Sequence, residues 1–138
     1  MDADDLKART KLFALRILKL VAALPDTVLG RLVGGQLARA GTSVASNYRA
    51  ACRGRSKAEF IAKLGLVIEE ADESAFWLEL TIEAELLRAT QVQPLLVEAN
   101  ELTAIMNRSQ MTAKSRLNLS KSKPNSKTNQ QSAIKNQQ

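Results

Sequence analysis

Four segments of the chain carry apolar residues at the three- and four-residue spacing that is typical of an amphipathic helix. We predict helices over about 4–24, 27–53, 56–88 and 93–112. Pro25 ends the first segment, Gly54 suits the position just after the second, and a turn at 90–94 separates the last two. Because short connections favour antiparallel neighbours, the pattern predicts an all-α, up-down-up-down four-helix bundle.

The second segment differs from the others because glycines interrupt its apolar pattern. Its predicted core positions are Val28, Leu32, Leu37, Ala40, Val44 and Tyr48. Gly34, Gly35 and Gly41 stand inside the same helix, where each costs up to about 1 kcal/mol relative to alanine. We therefore expect close helix contact or a bend in this segment.

The corner between the second and third helices is the most cationic part of the folded chain. Ser56 and Glu59 have the spacing of a capping box, in which Glu59 is expected to reach back to Ser56. Around this corner lie four cations, which are Arg49, Arg53, Arg55 and Lys57. They are candidates for binding the phosphates of RNA or DNA. Alternatively, they serve the dipole at the end of the second helix and the neighbouring acids.

Charge is distributed unevenly along the chain. Residues 1–63 carry a net charge of +7, residues 64–113 carry −7, and residues 114–138 hold six cations and no acid. The net +6 therefore resides in the last 25 residues, so the high isoelectric point alone is weak evidence for nucleic-acid binding. We predict a bundle domain over 1–113 and a basic, low-complexity, disordered tail over 114–138.

Several function classes find no support in the composition. The chain has no histidine, which removes the commonest general base and metal ligand, and its single cysteine, Cys52, has no histidine to activate it. No apolar run is long enough to span a membrane, and the first residues do not form a signal peptide. We expect a cytoplasmic protein with no catalytic residue, no cofactor and no membrane partner.

Two acidic motifs supply the alternative, enzymatic interpretation. Glu69, Glu70 and Glu73 spell E-E-x-x-E, and Glu98 with Glu101 adds E-x-x-E in the next helix. Carboxylates one turn apart on neighbouring helices can hold Mg²⁺, as in all-helical nucleoside triphosphate pyrophosphatases. However, Glu70 and Glu73 are predicted to point away from the core, which favours a solvated acidic face.

A second apolar face runs along two of the predicted helices. Leu66, Trp77 and Leu80 lie opposite the main stripe of the third helix, and Leu15 and Leu18 do so on the first. Isolated apolar residues are common on protein surfaces. A helix in a monomeric bundle nevertheless needs only one apolar face, so we predict that these five residues form a subunit interface.

The chain resembles the four helix bundle proteins encoded in intervening sequences of bacterial large-subunit ribosomal RNA genes. The resemblance covers most of 6–112 and rests mainly on SVASNY at 43–48, RSKAEF at 55–60 and residues 69–80. It implies an antiparallel bundle that assembles into a ring-shaped homopentamer, with no established catalytic activity. A structurally similar protein, the accessory variability determinant of diversity-generating retroelements, binds nucleic acid and partners a reverse transcriptase. The implied partners are therefore RNA or DNA, and a reverse transcriptase or another protein.

Together these observations predict a non-enzymatic, oligomeric bundle that binds nucleic acid or acts as an accessory scaffold. The magnesium-dependent pyrophosphatase stays open as the alternative.

Overall fold

The computed structural model describes residues 1–122, which form four α-helices joined by short turns. The helices are α1 Ala3–Ala22, α2 Val28–Cys52, α3 Lys57–Glu83 and α4 Ala89–Ser122. Helices that follow each other in the sequence pack side by side, and α4 meets α1 more lightly. The predicted all-α four-helix bundle is confirmed for this part of the chain. Within it, no helix is both long and apolar enough to cross a bilayer.

The core is a largely aliphatic cluster that also contains the rings of Phe13 and Tyr48. Its largest fully buried side chains include Phe13, Ile17, Leu37, Leu64, Leu78, Leu102 and Met106. Three buried hydroxyl residues, Thr10, Ser74 and Thr81, each donate a hydrogen bond of 2.8 Å to the carbonyl oxygen four residues earlier in the same helix. These hydroxyls are satisfied locally, so they add no unpaired polar group to the core.

Side-chain caps fix where the first three helices begin. Asp2, Thr27 and Ser56 each accept a hydrogen bond from a backbone N–H in the first turn that follows. The predicted capping residue Ser56 is confirmed, with a distance of 3.1 Å from Glu59 N to Ser56 Oγ. The reciprocal bond differs from the prediction, because the Glu59 carboxylate accepts from the N–H of Arg55 at 3.1 Å. The acid thus braces the residue that precedes the cap.

Helices α1 and α2 approach each other through small residues. A methyl group placed on Gly41 would lie 2.7 Å from Ile17 Cγ2 and 3.0 Å from Ile17 Cβ. One on Gly34 would lie 3.3 Å from the side chains of Val21 and Leu24. At 100° per residue, Gly34 and Gly41 share one face of α2 with Ala38 and Ala45. This face lets α2 lie directly against the side chains of α1.

The same glycines explain why two core positions of α2 were predicted wrongly. Val28 and Leu32 were expected to face inward, yet they are 77% and 54% exposed. The buried face passes instead through Val33, Leu37 and the glycines. Because glycine has no apolar side chain, the hydrophobic pattern could not reveal that it faces the core.

Helix α3 ends five residues before the predicted boundary near residue 88. Glu85 adopts a left-handed conformation with φ of 56°. The N–H groups of Glu85 and Leu86 donate to the carbonyl oxygens of Ile82 and Thr81, both at 3.0 Å. These two bonds form a Schellman motif that closes the helix. The sequence carries no glycine at this position, so it gave no signal of the ending.

Helix α4 is longer than predicted at both ends. It begins at Ala89 and continues to Ser122, whereas the expected limits were about 93 and 112, so the helix takes in residues 114–122 of the predicted tail. Pro94 is the sixth residue of this helix, so the bond that its N–H would have donated to the carbonyl oxygen of Thr90 is missing. Residues 113–122 contain no glycine or proline that would stop the helix. The rest of the predicted tail, 123–138, lies outside the described residues, and the division at residue 113 into domain and tail stays a prediction.

We expect Gly41→Ala to destabilise the protein by about 1–3 kcal/mol, because the added methyl forces α1 away from α2 through the rigid Ile17 side chain. Gly35→Ala is the matched control, since a methyl there meets nothing within 4 Å. It should stabilise by about 0.5–1 kcal/mol through helix propensity. Urea unfolding followed by circular dichroism measures both. Equal effects of the two substitutions would contradict the close approach at Gly41.

Replacing Glu85 by glycine should raise the free energy of unfolding by about 0.5–1 kcal/mol, because glycine carries no steric penalty at positive φ. Ala84→Gly serves as the control, since Ala84 has φ of −83° and gains nothing from glycine. Thermal unfolding of the two variants separates these cases. A lower stability for Glu85→Gly would contradict the left-handed cap.

Candidate nucleic-acid interface

A cationic groove lies between α1 and α2 at the end of the bundle where α1 begins and α2 ends. Its volume is about 640 Å³. The residues that line it are Lys7, Ala8, Lys11, Thr42, Ala45, Ser46, Arg49 and Arg53. Four of these residues carry a positive charge, and none carries a negative charge. We refer to this feature as the cationic groove.

Helical spacing and the antiparallel arrangement together create the groove. Lys7 and Lys11 are one turn apart on α1, and Arg49 and Arg53 are one turn apart at the end of α2. Since the two helices run in opposite directions, the start of α1 lies beside the end of α2. Small side chains between the cations, such as Ala8 and Ala45, leave the space open.

The cations of the groove have few partners within the chain. Lys7 lies 3.7 Å from Asp4, an exposed pair one turn apart on α1. Such pairs contribute little energy in water. Lys11, Arg49 and Arg53 form no ion pair with any other described residue, and so their charge is available to an external anion.

The structure divides the four cations predicted at the corner into two pairs. Arg49 and Arg53 line the groove, whereas Arg55 and Lys57 do not. Arg55 and Lys57 are exposed where the chain turns into α3. Sequence reasoning missed Lys7 and Lys11 because they come from another helix. Their spacing of four residues was a visible signal, but only the packing of α1 on α2 places them opposite the arginines.

Two of the acidic residues of α3 form ion pairs with an arginine of α2. Arg39 contacts Glu70 at 3.2 Å and also contacts Glu73. The hydrogen bond from Arg39 lowers the pKa of Glu73, whereas burial raises the pKa of Glu70 against the attraction of the same arginine. As the pH falls, protonation of Glu73 removes stability and protonation of Glu70 restores some. The two effects therefore oppose each other.

A second arginine joins α1 to α4. Arg9 forms a two-pronged bond with Glu98, at 2.9 Å from Nε and 2.6 Å from Nη2. Its Nη2 atom also lies 2.7 Å from Glu101. The hydrogen bond to Glu98 is the main cause that raises the pKa of Arg9. This contact braces the side of the bundle where the helices meet most lightly.

The acids that the pyrophosphatase alternative requires are therefore held apart. Glu70 and Glu73 face α2, while Glu98 and Glu101 face α1, and Glu69 is exposed without an ion pair among the described residues. Within residues 1–122, acidic and cysteine side chains do not group in a way that could hold a metal ion. The structure does not bring these carboxylates together into a magnesium site.

The residues of the predicted subunit interface differ in burial. Leu15, Leu18 and Leu66 are 57%, 44% and 42% exposed, while Trp77 and Leu80 are half-buried. Trp77 packs against its own core and stacks edge-on against Phe76, with the ring centres 5.2 Å apart. The second apolar face is thus open at Leu15, Leu18 and Leu66 and partly closed at Trp77 and Leu80.

The indole of Trp77 also carries an unsatisfied polar atom. Its Nε1 is buried and makes no hydrogen bond of good geometry among the described residues. The indole is close enough to Glu73 to add slightly to the lowering of the Glu73 pKa that Arg39 causes.

Comparison with known proteins identifies the family. The sequence model of the 23S rRNA-intervening sequence protein family matches residues 5–108. A solved structure is also similar, a protein of unknown function from the S23 ribosomal protein family of Bacteroides thetaiotaomicron VPI-5482. It is 32% identical with a TM-score of 0.69, and the match covers 73% of this chain and 94% of that one. The comparison with curated proteins gives no match. The chain therefore belongs to the 23S rRNA-intervening sequence protein family, as its sequence predicted.

Proposed function

We propose that this protein is a non-enzymatic, oligomeric four-helix bundle that binds RNA or DNA through backbone phosphates. The observation that carries the proposal is the cationic groove, in which four cations line about 640 Å³ of open space without an acid. Lysine and arginine bind phosphate oxygens regardless of the base sequence. The groove therefore supports binding without strong sequence preference.

The end of α4 adds further cations at the same end of the bundle. Gln110 donates a hydrogen bond of 3.1 Å to the carbonyl oxygen of Ile61, which fixes the register of α4 on α3. Because the two helices are antiparallel with equal rise, Lys114 lies level with Lys57, where α3 begins. Residues 115–122 therefore extend beyond α3, and they carry Arg116 and Lys121 without an acid.

Assembly would compensate for the small size of each groove. Four cations make few phosphate contacts, so a single groove binds weakly at physiological salt. A ring-shaped homopentamer would present the groove five times and could raise the apparent affinity by on the order of 10² or more. The exposed leucines of α1 and α3 support this assembly, because the two helices are not packed against each other within the bundle and their leucines would meet in a head-to-tail contact between neighbouring subunits of a ring. A reverse transcriptase or another protein partner rests on the resemblance alone.

Two double variants of equal charge change separate the groove from the corner. We expect Arg49→Ala/Arg53→Ala to weaken binding of a mixed-sequence duplex by about tenfold or more at fixed salt, because two phosphate contacts are lost. Arg55→Ala/Lys57→Ala should change the affinity by less than about twofold. Fluorescence anisotropy measures both. Equal losses of affinity in the two variants would contradict binding in the groove and would indicate a general attraction to the cationic corner.

Circular dichroism and unfolding of both double variants provide the structural control, since all four residues are exposed and alanine is a strong helix former. If neither the protein nor any variant binds RNA or DNA at low salt, the proposed function is wrong.

Glutamate substitutions at the exposed leucines test whether the protein forms an oligomer. Leu15→Glu and Leu66→Glu should each shift the protein toward a 15.1 kDa monomer, because a charge enters an apolar interface. Val28→Glu is the control, since Val28 is 77% exposed, more than any other large aliphatic residue that the structure describes, yet it lies outside the predicted face. Native mass spectrometry gives the subunit number. A monomeric parent protein at micromolar concentration would rule out the oligomer.

A further inference from the structure

A second open cavity lies where α4 passes the beginning of α3, and we call it the Phe60 pocket. Its volume is about 450 Å³. The residues that line it are Met1, Phe60, Ile105, Arg108, Ser109, Thr112, Ala113 and Arg116. It combines an aromatic ring, aliphatic surface, hydroxyl groups and two guanidinium groups, and its lining contains no acid.

The wall formed by α4 follows from helical spacing. Arg108, Thr112 and Arg116 recur every four residues along one line, with Ser109 and Ala113 beside them. The short side chains of this wall leave room for a ligand. The hydrogen bond of 3.1 Å between Gln110 and Ile61 holds the same turns against the start of α3. Phe60 and the α4 wall of the pocket therefore belong to two helices in fixed register, and Met1 adds to the lining from the start of the chain.

Phe60 has surroundings unlike those of the other aromatic residues. Phe13 and Tyr48 are buried in the core, while Phe76 and Trp77 stack on each other among the glutamates of α3. Phe60 is half-buried and shares its pocket with arginines. An aromatic face beside cations is the combination by which proteins bind unpaired bases together with their phosphates.

The charges around the pocket favour an anionic ligand. Arg108 and Arg116 form no ion pair with another described residue, so both are free to bind phosphate. Asp2, Asp4 and Asp5 follow Met1 in the sequence, and Asp2 and Asp5 form the capping box of α1, but none of the three lines the pocket.

We propose that the Phe60 pocket binds an unpaired base of single-stranded RNA or DNA, with the base against Phe60 and Ile105 and the adjacent phosphates on Arg108 and Arg116. This inference rests on the proposed function and specifies its ligand. A duplex offers phosphates to the cationic groove, but its bases are stacked on each other and cannot enter the pocket. Single strands therefore use both sites, and duplexes use the groove alone.

The test uses the full chain and single-stranded oligonucleotides, one DNA and one RNA, that carry the fluorescent base 2-aminopurine, with a duplex of equal length for comparison. Stacking of the base on Phe60 should change its fluorescence on binding. Phe60→Leu should abolish that change and weaken single-strand binding by about tenfold, while duplex affinity stays within about twofold. Phe76→Leu is the matched control, since it makes the same substitution on the same helix at a ring that is 50% exposed.

The outcomes separate the two proposals. If duplex is bound but Phe60→Leu leaves both the fluorescence change and the single-strand affinity intact, the proposal for the Phe60 pocket is wrong, while the proposal for the cationic groove stands. If neither single strands nor duplex bind, both proposals fail. Should Phe60→Leu lose helical structure, Arg108→Ala/Arg116→Ala replaces it. Single-strand affinity unchanged in that variant would equally overturn the pocket.

Discussion

The arrangement of the bundle depends on the close approach of α1 and α2. Gly41 leaves no room for even a methyl group before Ile17, and Gly34 does nearly the same for Val21. This contact sets the distance between the two helices whose ends carry the unpaired cations. Once they are packed in this way, small side chains beyond Gly41 leave an open groove instead of a filled interface. The packing constraint and the candidate site therefore belong to the same face of α2.

Charge separates the two ends of the folded chain. Arginines that lie beside acids, Arg9 and Arg39, bind them across helix boundaries and contribute to packing. The arginines and lysines at the end where α2 and α4 finish face solvent and outnumber the acids there, which are Asp2, Asp4, Asp5 and Glu59. Because like charges repel each other, such an arrangement lowers the stability of the fold. It suits a surface that binds a polyanion. The other glutamates of α3 lie farther toward the opposite end of the bundle.

Much of the fold was predictable from the sequence, because long 3.6-residue periods and capping residues identify helices well. The predictions of core positions and helix ends were wrong where the structure does not depend on a pattern of apolar side chains. The glycines of α2 face α1 but have no apolar side chain that a sequence pattern could reveal. Glu85 ends α3 in a left-handed conformation that glycine usually adopts. Of the candidate site, Arg49 and Arg53 were predicted, but the partners from α1 were not. Only tertiary packing brings residues of two distant helices into one groove.

The most direct test of phosphate binding in the cationic groove is the salt dependence of affinity for a mixed-sequence duplex. Neutralising each phosphate contributes about −0.9 to the slope of log K against log salt. For each groove engaged, Arg49→Ala/Arg53→Ala should remove two phosphate contacts and so make this slope less negative by about twice 0.9. Arg55→Ala/Lys57→Ala should leave the slope unchanged. An identical slope for the parent protein and the groove variant would contradict the account.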